Sequence, residues 1–231
     1  MNHDEREEAL GEERASCPAE GETPWNRVIT GEGVRIQTIP IIGQIEGHAV
    51  LPPPAKTTKY EHLLPELVLA EESEEVDGVL FLINTVGGDV EAGLAMAEMI
   101  AGMTKPTCSL VLGGGHSIGI PLAVAADRAY MAESATMTVH PVRINGLVLG
   151  VPQSFEYLTR MQERIEAFIL AHSRIAPEVF RRFLTGHSDM ATDIGSILSG
   201  REAAASGLVD GVASFGQVMA HLKKMAKQKK G

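Results

Sequence analysis

Apolar and polar residues alternate along Val34-Arg35-Ile36-Gln37-Thr38-Ile39-Pro40-Ile41-Ile42, the period of a half-buried strand. Pro52-Pro53-Pro54 then forces extended backbone and a loop. From Tyr60 to about Ala70 the period changes to that of a helix, with Leu63, Leu67 and Ala70 on one stripe. Val79-Leu80-Phe81-Leu82-Ile83 and Thr107 to Leu112 are short, nearly continuous apolar runs, the pattern of central strands covered on both faces. Between them, Asp89 is placed to cap a helix from Val90 to about Gly102. After a sharp turn at Gly113-Gly114-Gly115, a helix is predicted from Ser117 to Ala126, with Pro121 tolerated in its first turn. Short strands follow at Arg128 to Met131 and Thr136 to Val139.

Pro152 opens a long amphipathic helix to about His172, with Phe155, Leu158, Met161, Ile165, Phe168 and Ile169 at helical spacing. That stripe is wider than a lone surface helix needs, and a second subunit is expected to pack on it. A shorter helix covers Pro177 to Leu184, a brief one Glu202 to Ser206, and a terminal one Phe215 to Met225. Gly207 stops the second of these, and Leu208-Val209-Asp210 leads into a last strand. Strands alternating with helices predict an α/β fold with a largely parallel sheet.

At 231 residues the chain suits one domain with tails. Residues 1–26 read as a disordered acidic tail, 27–222 as the folded domain, and 223–231 as a basic tail. The net charge of −10 argues against nonspecific nucleic-acid binding, which needs Lys and Arg in numbers. Cys17 and Cys108 make neither a disulfide framework nor a metal set, and they suit a reducing compartment. The acidic start has no apolar core of a secretory signal, and no segment is long and apolar enough to span a bilayer. A cytoplasmic protein without a cofactor is expected.

The candidate chemistry sits at three places. Gly113-Gly114-Gly115-His116-Ser117-Ile118-Gly119 lies between a buried strand and a helix. A serine there is held on a tight turn, beside the free N–H groups and positive end of a helix, which favour an oxyanion; it can equally be a plain helix cap. Asn84-Thr85-Val86-Gly87-Gly88-Asp89 is a second strand-to-helix glycine corner, whose N–H groups can complete an oxyanion site with that of Ile118. His140, in Met137-Thr138-Val139-His140-Pro141, ends a strand, either as a structural residue or as the base a serine hydroxyl needs near neutral pH. His116 adjoins Ser117, but neighbouring side chains at such a corner diverge, making it a poor base.

In this order, and followed by Gly-Arg-Glu-Ala-Ala-Ala-Ser-Gly-Leu-Val-Asp from Gly200, these motifs resemble the Clp protease proteolytic subunit over roughly Arg35 to Leu222. Thr85-Val86-Gly87-Gly88-Asp89-Val90-Glu91-Ala92-Gly93 and His140-Pro141-Val142-Arg143 look closest to the family's translocation-enhancing branch. The resemblance implies a ClpP/crotonase-like fold of repeated ββα units, with a protruding handle at about 150–186. It implies a serine peptidase with Ser117 as nucleophile, His140 as base, and backbone oxyanion donors at Gly88, Gly87 and Ile118. Its substrates would be peptides or unfolded proteins, and its assembly a homo-oligomeric ring. An AAA+ unfoldase is a partner the residues leave open; the chain has no phosphate-binding loop of its own.

The third triad member departs from the main family. The place of its acid holds Gly195, so Asp193 is the candidate, with Asp189 in reserve. Two other functions compete. An acyl-CoA enzyme of the crotonase kind would use the same corners but needs no Ser–His pair. A weakly active or non-catalytic assembly factor that assists protein translocation would fit the displaced acid. A serine–lysine peptidase would need a lysine near Ser117, and Lys105 stands at the far end of its strand.

Overall fold

A computed structural model describes residues 27–30, 32–49, 51–52, 54–143, 150–186 and 195–230. The expected acidic tail lies outside the described residues. The first ordered pair is β1 (Arg27–Ile29), antiparallel to the long β2 (Arg35–Glu46), whose far end carries β3 (Thr57–Lys59) in parallel. Helix α1 (Tyr60–Glu72) buries Leu63, Leu67 and Ala70, the predicted stripe. Then come β4 (Gly78–Gly88), α2 (Val90–Ala101), β5 (Thr107–Gly115), α3 (Gly119–Val124) and β6 (Arg128–Met131). Strands β2, β4, β5 and β6 are neighbours in that order and all parallel.

The side chains of these strands alternate between two apolar layers, as the pleat requires. Val79, Phe81 and Ile83 of β4 and Val111 of β5 pack with α1, α2 and α3, whereas Leu80, Cys108 and Leu110 pack with the terminal helix. The runs read as continuous because both faces are covered.

Strand β7 (Thr136–Val139) leaves the main sheet, pairing with β5 at Gly114↔Thr136. The long helix α4 (Val151–Ala171) follows, then α5 (Pro177–Thr185), then β8 (Ser196–Ser199) antiparallel to β7. Helix α6 (Gly200–Ala205), β9 (Gly211–Val212) beside β6, and α7 (Phe215–Lys230) complete the chain. This is the expected α/β fold with a mostly parallel sheet.

Three expectations change in detail. The glycines 113–115 are the end of β5 rather than a turn, because Asn84 Oδ1 accepts from Gly114 N (2.9 Å) and Gly115 pairs with Thr85. The turn falls at His116–Ile118, so α3 begins at Gly119. The terminal helix runs on past Met225 to Lys230, so the basic run is its last turns: Ala226 is buried beneath it, while Lys223 and Lys227 both bond to Glu32. Strand β8 was not foreseen, since Ser196–Ser199 carries too few apolar positions to signal one.

Candidate active site

Strands β4 and β5 end side by side, and their ends are tied by side chains. Asn84 reaches across to Gly114. The buried Thr85 donates its hydroxyl to Gly43 O (2.6 Å) and accepts from Gly87 N (3.0 Å), while its carbonyl accepts from His116 N (3.2 Å). Thr85 thus fixes both corners, and only its burial in the fold reveals this. The Gly87 N–H is occupied by that bond. Beyond Gly88, Asp89 N donates to Ile45 O (3.0 Å), which ties the end of β4 to β2. A Cβ on Gly88 (φ +153°) would sit 2.1 Å from Ile45 O. One on Gly87 (φ +89°) would sit 2.7 Å from Ser117 Cβ. Only glycine permits the two corners to close on each other.

Ser117 has φ +57° and is the sole non-glycine residue with positive φ among those described. Its N–H donates to Thr138 O (3.0 Å), and its carbonyl accepts from Ile120 N (3.0 Å). A β-carbon in this region costs about 1–3 kcal/mol, and such residues gather at functional sites. The next N–H, that of Ile118, has no hydrogen-bond partner among the described residues and stands at the start of α3.

Thr138 also binds His116: Oγ1 and Nδ1 are 2.9 Å apart. His116 therefore anchors β7 to the corner. Burial first, and then the neighbouring His140, lower its pKa from the usual 6.5. Two residues beyond Thr138, on the same side of the extended chain, stands His140. Its Nδ1 is 2.7 Å from Pro141 O. A carbonyl only accepts, so in this contact Nδ1 is the donor, which in a neutral ring leaves Nε2 as the acceptor. Behind the ring, Gly195 (φ +137°) packs so closely that a Cβ there would be 2.8 Å from His140 Cβ and 2.5 Å from Val139 O.

Ser117, Ile118, Gly88 and His140 line one cavity of about 160 Å³, whose apolar wall includes Val142, Ile165, Ile169, Phe180 and Leu184. The two expected reacting side chains are thus brought to one space. Among the described residues no hydrogen bond joins them directly, and such bonds commonly tighten only when substrate arrives. Asp193 and Asp189 lie outside the described residues. Lys105 is engaged elsewhere, with Nζ on the Ser73 carbonyl before the start of β5. Cys108 is buried, and desolvation pushes its thiol up to about 12. Among the described residues there is no His, Cys, Asp and Glu grouping that could hold a metal, and no helix long and apolar enough to cross a membrane.

The Clp protease family model matches residues 36–215. The chain is 54% identical over 194 residues to the translocation-enhancing protein TepA of Halalkalibacterium halodurans, covering 84% of this chain and 76% of that protein. It is 26% identical over 140 residues to the ATP-dependent Clp protease proteolytic subunit 1 of Chlamydia abortus, covering 58% of this chain and 69% of that protein. The corresponding subunit of Chlamydia caviae is 26% identical over 155 residues, 64% of this chain and 77% of its own length. The family model spans the central strands, both glycine corners, His140 and α4, so the chain belongs to the Clp protease family.

Proposed function

We propose that the chain is a serine endopeptidase of the Clp type, acting on peptides or unfolded proteins. The observation that carries this reading is the left-handed backbone of Ser117 in the lining of a cavity it shares with His140. Ser117 Oγ attacks the scissile carbonyl, and His140 Nε2 takes its proton and returns it to the leaving amine. The N–H groups of Gly88 and Ile118 hold the oxyanion, Gly87 shaping the corner behind them. The acyl-enzyme is then resolved by water, with His140 again as base. The apolar wall of the cavity suits an apolar substrate side chain.

Asp193 is the third member in this reading. Because Nδ1 already has an acceptor in Pro141 O, the carboxylate is called on mainly to stabilise the imidazolium, and its loss should be graded. No step consumes ATP, so unfolding of folded substrates would fall to a separate AAA+ partner. Assembly into a homo-oligomeric ring fits the exposed Val151, Phe155 and Tyr157 on α4. A cytoplasmic setting fits the buried free thiol.

A second reading, a weakly active or non-catalytic factor that assists translocation, is favoured by the name of the TepA relative and by Gly195, which stands where the resemblance to the main family would place the acid. A fluorophosphonate serine probe separates the two. Wild type, Ser117→Ala, His140→Ala and Asp193→Ala are labelled beside a measurement of mass in solution. We expect labelling to vanish in the first two variants and to fall partially in the third. A well-folded wild-type oligomer that takes no label would sink the peptidase reading and favour the scaffold.

A further inference from the structure

We propose that Gln162, on the handle helix α4, is a positioning residue for His140 and acts through the peptide group that joins Pro141 to Val142. This rests on the peptidase reading above and deepens it. Two hydrogen bonds and the peptide unit between them form one line. The His140 Nδ1–H donates to the Pro141 carbonyl (2.7 Å), and the Val142 N–H donates to Gln162 Oε1 (2.9 Å). The carbonyl of Pro141 and the N–H of Val142 belong to the same peptide unit. The path therefore runs from imidazole to carbonyl, across one planar amide, and from its N–H to a side-chain oxygen on another element.

The physics of that unit gives the residue its role. A peptide bond is rigid and resonance-polarised, so the direction of its C=O is fixed once its N–H is held. Accepting at one end and donating at the other strengthen each other. Gln162 thus aims the carbonyl at Nδ1, and the carbonyl holds the proton on Nδ1 and leaves the Nε2 lone pair for the serine. Without an acceptor on Val142, the peptide plane is free to turn and the imidazole can adopt the other tautomer.

Among the described residues, the surroundings limit what else can serve. Gly195 closes on His140 Cβ from behind, leaving no room for a side chain at that position. Gln162 lines the same cavity as Ser117 and His140. Its helix is further tied to α2 by a two-pronged pair between Arg164 and Glu91, at 2.6 and 3.0 Å. The acceptor is therefore carried on an element braced against the helix that follows the other glycine corner.

The test compares Gln162→Met, which keeps length and packing but removes the acceptor, with Gln162→Glu, which keeps an acceptor. Two readouts are taken: the ¹⁵N shifts of the His140 ring in the neutral form, and kcat against KM for peptide hydrolysis. Wild type should show the Nδ1–H tautomer. The Met variant should become a mixture and lose kcat about tenfold to a hundredfold with KM little changed, the size expected of a misplaced catalytic group. The Glu variant should restore both. A wild-type ring protonated on Nε2, or a Met variant with unchanged tautomer and kcat, would overturn the proposal. The ring signal does not need turnover. If wild type neither labels nor hydrolyses, yet the tautomer follows Gln162, the relay stands and the peptidase reading falls.

Discussion

The Ser117 corner and the His140 end of the cavity are built by different means. The corner is formed by the ends of two central parallel strands, and its bonds are backbone bonds within the sheet and side-chain bonds from the buried Thr85 and from Asn84. Its glycines are fixed by backbone atoms that cannot move aside, such as Ile45 O behind Gly88. The base end sits on β7 and β8, outside the main sheet, and its geometry depends on single contacts: Pro141 O, Gln162 and the close approach of Gly195. The corner is inseparable from the fold, whereas the base end is set on the fold by a few bonds. Changes in the first should therefore unfold the protein, and changes in the second should spoil the site while the protein stays folded.

The sharpest way to break that comparison is Gly88→Ala. A Cβ 2.1 Å from the Ile45 carbonyl, at positive φ, cannot be relieved by a rotamer change. Strain and overpacking together should cost about 3 kcal/mol or more, read as a lower denaturant midpoint or loss of soluble protein. A variant with wild-type stability would mean that the corner is not fixed by the sheet.

Gly195→Ala is the matched change on the other side. Its Cβ would crowd His140 Cβ at 2.8 Å and Val139 O at 2.5 Å, but β8 is short and peripheral and can shift. We expect a stability loss of about 1–2 kcal/mol and a fall in serine-probe labelling of about tenfold or more. Equal loss of fold and labelling would erase the distinction between the two regions.

The smallest effect lies where the regions meet, at His116. Its pKa is lowered by burial and by His140 from 6.5, so the folded state resists a proton that the unfolded chain accepts. Above pH 6.5 this costs nothing; as pH falls through 6.5 toward the lowered folded value, stability is lost. Denaturation of wild type and His116→Gln at pH 7.5 and 5.5 should show a steeper decline in wild type. Parallel slopes would remove His116 as the titrating group.

Much of this protein was legible along the chain. Period and apolar runs located α1, α2, α4 and the central strands, because these are local consequences of which face is buried. The glycine corners and the serine between them stood out because positive φ and close approach leave few residue choices. Other features had no local signal. Thr85, Thr138 and Gln162 are ordinary polar residues whose partners, Gly43, His116 and Val142, stand far along the chain. The occupied N–H of Gly87 depends on the rotamer of a buried threonine.

The sequence alone therefore determined the α/β class, the residues able to form a strained serine corner, and the family to which they belong. Only the tertiary structure decided that the Gly87 N–H is taken by Thr85, that Gly195 closes against His140, and that Gln162 on α4 meets the peptide beyond that histidine. The reason is physical: periodicity and backbone preference act over a few neighbouring residues, whereas a hydrogen bond between distant residues exists only after the sheet and helices have brought them within reach.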